Sequence, residues 1–304
     1  ARPFMRRAIN QWRRELHVKS GEEPYVVVPY PYLTPWVQDV SSDRLVYYNL
    51  DEYTLYRPGR ADWIRDLESN LVEQAGRTLC LSQSQTEALQ DRCSVSADRI
   101  RHFPLGVLES FINPHPERKP ELNTVGYIGN LTDRVDWTLV HDVVSRCPDL
   151  KFVFVGGLDE LETGGTREGW QRERANALMF DNVEHVGLIP QDEVPRYYWS
   201  FAASWIPYDT GHPFNRASCP TKIMDSIASG RPVVSTDVPE CRLYPEWITI
   251  ADSPQDTASA LQQAIESSGD HASRTQVLFA REHTWSRRAD RFLSLIDELP
   301  YAEA

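Results

Sequence analysis

Six short apolar segments recur after residue 124: TVGYIGN (124–130), KFVFVGG (151–157), NVEHVGL (182–188), ASWIPY (203–208), PVVST (232–236) and WITIAD (247–252). Each is followed by a polar loop and, in most cases, an amphipathic stretch. That alternation limits the fold severely, because parallel strands need crossover helices and those helices then cover both faces of the sheet. An α/β fold with a parallel sheet is expected. Ligands of such sheets bind in the crevice beyond the carboxyl ends of the strands. The residues of interest are therefore Gly129 and Asn130, Gly156 and Gly157, and the polar loop over 208–219.

A less regular α/β series comes first. YVVVP (25–29), RLVYYNL (44–50) and RTLCLS (77–82) read as buried strands, with the helical pattern ADWIRDLESNLVEQAG (61–76) between the last two. Asp51 and Ser82 stand at or just after strand ends. The polar, proline-rich NPHPERKPELN (113–123) has linker composition. The expected division is a domain over 1–116, a second over 117–285, and a closing helix over 286–304.

The net charge of −12 argues against nucleic acid as the main partner. No run of about eighteen apolar residues suggests a membrane span, and the polar N-terminus lacks a signal-peptide core. The five cysteines are scattered without a CxxC pair. They read as reduced thiols of a cytoplasmic protein rather than a disulfide framework or a zinc site. One segment departs from the acidic balance: ARPFMRRAINQWRREL carries five arginines against one glutamate. Met5, Ile9, Trp12 and Leu16 fall at helical spacing in it. Such a helix either packs that stripe on a core or lies on an anionic membrane surface, and both hold if the basic face stays outward.

The stretch FNRASCPTKIMDSIASGRPVVSTDVPE (214–240) carries the chemistry. Pro220 suits a helix start, and Gly230 with Pro232 its end. Lys222 then sits in the first turn, where the helix dipole favours an anion and disfavours a cation. An anion bound there would explain it; a salt bridge to Asp225, three residues on, is the alternative. Loop amides, a helix amino end and one lysine together make a phosphate site. Asp225, one turn deeper, is placed to accept the two hydroxyls of a ribose. The candidate binding set for a nucleoside diphosphate is Gly129, Asn130, Ser218, Cys219, Pro220, Thr221, Lys222 and Asp225.

PTKIMDSIASGRPVVSTDVPE (220–240) resembles the donor-binding segment of retaining glycosyltransferases of family 4 and their relatives with the GT-B fold. The resemblance continues through VGYIGNLTDRVDWTLV (125–140), KFVFVGG and NVEHVGLIPQDEVPRYYWSFAASWIPY (182–208). HTWSRRADRFLSLI (283–296) is similar to the family's closing helix, so nearly all of 124–298 is covered. RLVYYNLDEY (44–53) and CLSQSQTEAL (80–89) are similar to N-terminal segments, and FPLGV (103–107) stands where the family has Asn-Gly-Val. Three departures are visible. Ala217 and Asp225 stand where the family has glutamates eight positions apart. Arg134 is the candidate for the basic residue after the first C-terminal strand. The first strands and glycine-rich loop of the N-terminal domain are missing, which implies a trimmed chain or a reduced domain.

The resemblance implies two Rossmann-like domains with parallel sheets facing a cleft, the first truncated. It implies a hexosyltransferase-type activity, moving a sugar from a UDP- or GDP-sugar to a saccharide or lipid-linked acceptor in glycoconjugate synthesis. No cofactor beyond the sugar nucleotide is expected. No Asp-X-Asp occurs, so a metal-independent reaction is expected, with Lys222 and the Pro220 helix stabilising the leaving diphosphate. Asp51 is the catalytic candidate on the acceptor side. It would be a general base in an inverting enzyme or an orienting group in a retaining one, with a helix N-cap as the structural alternative. His212, in the donor loop, competes weakly. PYPYLTPW (29–36) and RYYWSF (196–201) fit stacking on sugar or base faces, or simple packing. The rival functions are a non-catalytic nucleotide-sugar-binding subunit and a GT-B sugar-nucleotide epimerase.

Overall fold

A computed structural model describes residues 2–120, 123–160, 164–165, 167–268 and 271–298. The chain forms two compact units, the first made of Ala1–Pro104 with Ala289–Ala304 and the second of Leu105–Arg288. The elements of the first part are α1 (Arg2–Ser20), β1 (Val26–Val28), β2 (Leu45–Asn49), α2 (Ala61–Gln74), β3 (Arg77–Cys80), α3 (Gln83–Arg92) and β4 (Ile100–His102). β1 to β4 pair in chain order, all parallel. β4 is an additional strand, too short to have shown a period in the sequence. Ser82 is the N-cap of α3, accepting from the Gln85 N–H at 3.2 Å, so its side chain serves the helix.

α1 behaves differently from its expected stripe. Arg6 pairs with Asp39 and Arg13 with Glu23, and Ile9 packs on the core around Val28 and Leu45. Those pairs set the rotation of the helix, and it leaves Phe4 74%, Trp12 59% and Leu16 51% exposed. Ile9 packs on the core, whereas Trp12 and Leu16 do not.

The second unit continues with β5 (Thr124–Ile128), α4 (Trp137–Arg146), β6 (Lys151–Val155), α5 (Trp170–Ala177), β7 (Val183–Gly187), α6 (Val194–Ser200) and β8 (Ala203–Ile206). It is completed by α7 (Pro213–Ala217), α8 (Thr221–Ala228), β9 (Val233–Ser235), β10 (Ile248–Ile250), α9 (Pro254–Ser267) and α10 (His271–Arg281). α11 (Trp285–Asp297) carries the chain from this unit into the first, where Leu295 and Ile296 pack with Val46, Leu79 and Phe103. The six strands run parallel in the order β10-β9-β8-β5-β6-β7. Trp137, Phe152, Phe154 and Trp205 fill the core. Gly126 is required there, because a Cβ on it would overlap the Phe201 ring.

The expected linker over 113–123 is not one where it is described; residues 121 and 122 lie outside the described residues. Asn113 is buried, its N–H donates to the Ala228 carbonyl at 3.0 Å and its side-chain amide to that of Ser229 at 2.8 Å. These bonds tie the segment to the end of α8, so the division falls at Pro104–Leu105, ahead of residue 116, and again at Arg288–Ala289.

Candidate functional site

Chain order reverses between β5 and β8, which are neighbours in the sheet although they are far apart in sequence. The loops leaving their carboxyl ends go opposite ways, and a crevice forms at such a switch point. Gly129 follows β5 with φ +147°, and Gly156 follows β6 with φ +146°. A Cβ on Gly156 would overlap the Gly129 carbonyl, and a Cβ on Gly129 would overlap the ammonium of Lys222. The glycines thus allow two loops and a lysine to converge on one point. Asn130 is exposed beside it, and its carbonyl accepts from the Tyr127 hydroxyl at 3.2 Å.

α8 starts at Thr221, with Pro220 as an extended N-cap (ψ 129°) that offers no side-chain hydrogen bond to the first turn. The apolar residues Ile223, Met224 and Ile227 hold the helix on the core, each buried side chain contributing about 1.5–3 kcal/mol. Gly230, at φ +66°, ends it. The amino end of α8 therefore presents amides that no side chain caps, the arrangement that receives an anion.

The Lys222 ammonium lies 5.2 Å from the ring centre of Tyr127 and 5.4 Å from that of Tyr208. Among the described residues it makes no ion pair with Asp225, so the salt-bridge alternative is not realised. The two rings draw the cation the other way. The Arg134 guanidinium also lies over the Tyr208 ring, 5.1 Å from its centre. Its Nε donates to Asn215 at 2.8 Å and one Nη to the Ser218 hydroxyl at 3.0 Å. Burial pushes the Tyr208 phenol up, but Lys222 and Arg134 outweigh it and hold the group below its ordinary value. Two cations thus flank one buried phenol with no carboxylate paired to either among the described residues. Tyr127 lies within a strand and Tyr208 opens the polar loop over 208–219; both are buried, and the pairing with Lys222 gives them a second role.

Asp225 is half-buried on the same helix. Burial raises its carboxyl to about 7, against the pull of Lys222. No described residue donates a hydrogen bond to that carboxylate, which leaves it short of donors. Cys219 points elsewhere: its thiol bonds the buried Glu240, and burial pushes it well up, with Glu240 adding to the effect. Ser218 anchors Arg134, Thr221 is exposed, and Ala217 closes α7 with no acid in its place. His212 is fully buried. Its Nδ1 accepts from the Phe214 N–H at 3.2 Å and its Nε2 lies 3.4 Å from Asp133. Burial holds its pKa down against Asp133, so it fixes the loop.

Asp51 belongs to the first unit, just after β2. It caps no helix: Oδ2 accepts from the Tyr56 hydroxyl at 2.5 Å and Oδ1 from the Glu52 N–H at 2.9 Å. It borders a cavity of about 440 Å³ lined by Tyr30, Tyr32, Tyr53, Tyr56 and Arg57. Tyr30 and Tyr53 meet edge-on at 5.6 Å, and Tyr53 is fixed by donating to the Pro29 carbonyl at 2.6 Å. The segment over 29–36 thus faces a cavity, whereas RYYWSF runs through the end of α6, with Tyr198 and Phe201 buried and Tyr197 and Trp199 half-buried. Among the described residues no cluster of histidine, cysteine, aspartate or glutamate could hold a metal ion.

Two parallel α/β sheets, with a phosphate-suited crevice at the switch point of the second and a last helix returning to the first, define the GT-B fold. Solved structures agree: sucrose-phosphate synthase from Thermosynechococcus elongatus matches with a TM-score of 0.69 at 18% identity, over 94% of this chain and 76% of that one. HepE of Anabaena, in complex with UDP and glucose, matches with a TM-score of 0.64 at 15% identity, over 84% and 72%. The chain belongs to the Glycosyl transferase-like family, whose model matches residues 134–294. It is also similar to TuaH of Bacillus subtilis (strain 168), named as a teichuronic acid biosynthesis glycosyltransferase, at 23% identity over 218 residues and 68% of this chain. The chain spans about half the length of that relative, 53%.

Proposed function

We propose that this protein is a hexosyltransferase that moves a sugar from a UDP- or GDP-sugar to a saccharide or lipid-linked acceptor. One observation carries the reading. At the amino end of α8, Lys222 is held between two tyrosine rings, against a glycine backbone and without an acidic partner among the described residues, where a diphosphate would complete it. Donor cleavage leaves charge on the diphosphate. Lys222, Arg134 and the first amides of α8 would stabilise that charge, a role protein groups fill without a metal. Asp225 would accept the ribose hydroxyls. The names of HepE's bound ligands, UDP and glucose, favour the uridine nucleotide.

On the acceptor side, the tyrosine-lined cavity of the first unit would hold sugar rings, with Asp51 oriented by Tyr56 toward the reacting hydroxyl. Asp51 is a general base if the anomeric centre inverts and an orienting group if it is retained. No described helix is long and apolar enough to cross a membrane. The exposed Phe4, Trp12 and Leu16 of α1, with Arg7 and Arg14, would seat the protein on the cytoplasmic face of an anionic membrane beside a lipid-linked acceptor.

A thermal-shift screen of nucleotides and nucleotide sugars, followed by turnover of the best donor in excess EDTA, tests the reading. Stabilisation by UDP or GDP and turnover in EDTA are expected. Absence of stabilisation by any nucleotide refutes it. The lack of an acid at Ala217 favours one rival, a non-catalytic binding subunit, which would be stabilised by the donor but never turn it over.

A further inference from the structure

A second cavity, of about 540 Å³, lies at the other end of the second unit's sheet. Thr124 and Lys151, the first residues of β5 and β6, form part of its wall. It therefore opens at the amino ends of strands whose carboxyl ends carry Gly129 and Gly156, and it shares no residue with the Lys222 crevice. Its size is that of a small-molecule site.

Its charge runs against the rest of the molecule. The chain carries −12, yet the rim holds Arg118, Lys119, Lys151 and Arg196 against the single acid Glu184. Glu184 neutralises Lys151 at 2.5 Å. Arg118, Lys119 and Arg196 are exposed and form no ion pair among the described residues. The wall behind them is rigid. Arg231 is buried and donates to the carbonyls of Trp199 at 2.9 Å and Arg118 at 2.8 Å. The Trp199 indole N–H donates to the Phe111 carbonyl at 2.8 Å, which fixes the ring. Half-buried aromatic faces thus stand below three cations that form no ion pair among the described residues.

We propose that this cavity binds an acidic saccharide whose sugar rings bear carboxylates, at a site separate from the Lys222 crevice. The aromatic faces take the C–H face of the ring, and Arg118, Lys119 and Arg196 take the negative groups. A nucleoside diphosphate fits less well. The helix end that lines the cavity is the carboxyl-terminal turn of α6, which disfavours a concentrated negative charge, while the cations sit apart on the rim where spaced single charges reach them. The site does not depend on the proposed transfer activity.

Calorimetry with the full chain tests it, using tetragalacturonic acid, galacturonic acid, maltotetraose and UDP as probes. Tetragalacturonic acid binds, more weakly as salt rises, and maltotetraose does not. Lys119→Glu and Arg196→Glu each reduce its affinity by about tenfold, in keeping with loss of a charge-assisted hydrogen bond. Arg172→Glu, the same charge change on exposed surface outside the cavity, does not, and UDP affinity is the same in all variants. Galacturonic acid binding as tightly as the tetramer assigns the cavity to a single sugar acid instead of a chain. The proposal is overturned if the tetramer fails to bind, if maltotetraose binds equally, or if Arg172→Glu lowers affinity as much as the cavity variants.

Discussion

The two candidate carboxylates are held in opposite ways. Asp225, in the second unit, is half-buried, lacks any hydrogen-bond donor among the described residues, and titrates at about 7 because burial raises it. Asp51, in the first, has both oxygens engaged, one by a tyrosine hydroxyl and one by a backbone amide, at the edge of an open cavity. A desolvated group short of partners stores free energy that a ligand can release on binding. A satisfied group stores little, but its direction is fixed. The first arrangement suits affinity and the second suits geometry.

The sharpest way to break this contrast is Asp51→Asn. The substitution is nearly isosteric and keeps one acceptor oxygen, so UDP affinity should be unchanged while turnover falls by about 10²–10⁴ if the group is a general base. Calorimetry with UDP and a steady-state assay give both numbers. A much smaller loss with retained anomeric configuration makes it an orienting group, and loss of UDP binding withdraws the contrast altogether. Next in size is Lys222→Ala, which should weaken UDP binding by about 1.5–3 kcal/mol, the worth of a charged hydrogen bond, without unfolding the protein. Unchanged affinity would sink the assignment.

Asp225 sharpens the comparison through pH. Its folded pKa lies above the unfolded value near 4, so the folded protein holds this proton more tightly. The group's contribution to stability is complete below about pH 4 and is lost as pH rises to about 7. Ribose hydroxyls favour the carboxylate, so UDP-glucose affinity should rise with pH up to about 7 and then level, with proton release on binding below that point. In Asp225→Asn both dependences should flatten, and the variant should melt higher than the parent above pH 7. Titrations in buffers of different ionisation enthalpy count the protons. An unaltered pH profile in the variant would make Asp225 structural. The smallest effect belongs to α1. Neutralising Arg7 alone, as Arg7→Gln, should weaken salt-sensitive binding to anionic liposomes by about 1 kcal/mol. Equal binding to neutral and anionic vesicles counts against it.

The same contrast explains what was legible in the sequence. The Lys222 site is marked by residues with strong local consequences: Pro220 before a helix, Gly230 after it, and a cation where the dipole disfavours one. Strand and loop positions for Gly129 and Asp51 follow from period and punctuation alone. The partners were not legible, because Tyr127 and Tyr208 differ from ordinary core tyrosines only in what lies beside them. Arg134 is one basic residue among many until its contacts with Tyr208, Asn215 and Ser218 are seen. The rotation of α1 depends on Asp39 and Glu23, both outside the helix, which no reading of its own pattern could supply. Linker composition over 113–123 misled for a related reason, since Asn113 is bonded to carbonyls more than a hundred residues away.

The route of α11 has a bearing on how the chain is made. Leu295 and Ile296 complete an apolar cluster with Val46, Leu79 and Phe103, and the Ile296 carbonyl accepts from Tyr25 at 3.2 Å. The ribosome delivers Val46 of β2 about 250 residues before Leu295 and Ile296. All of Leu105–Arg288 is translated in between. The second unit can therefore finish folding first, while the nascent first unit keeps one face of its sheet uncovered, a window in which chaperone capture or aggregation competes with completion.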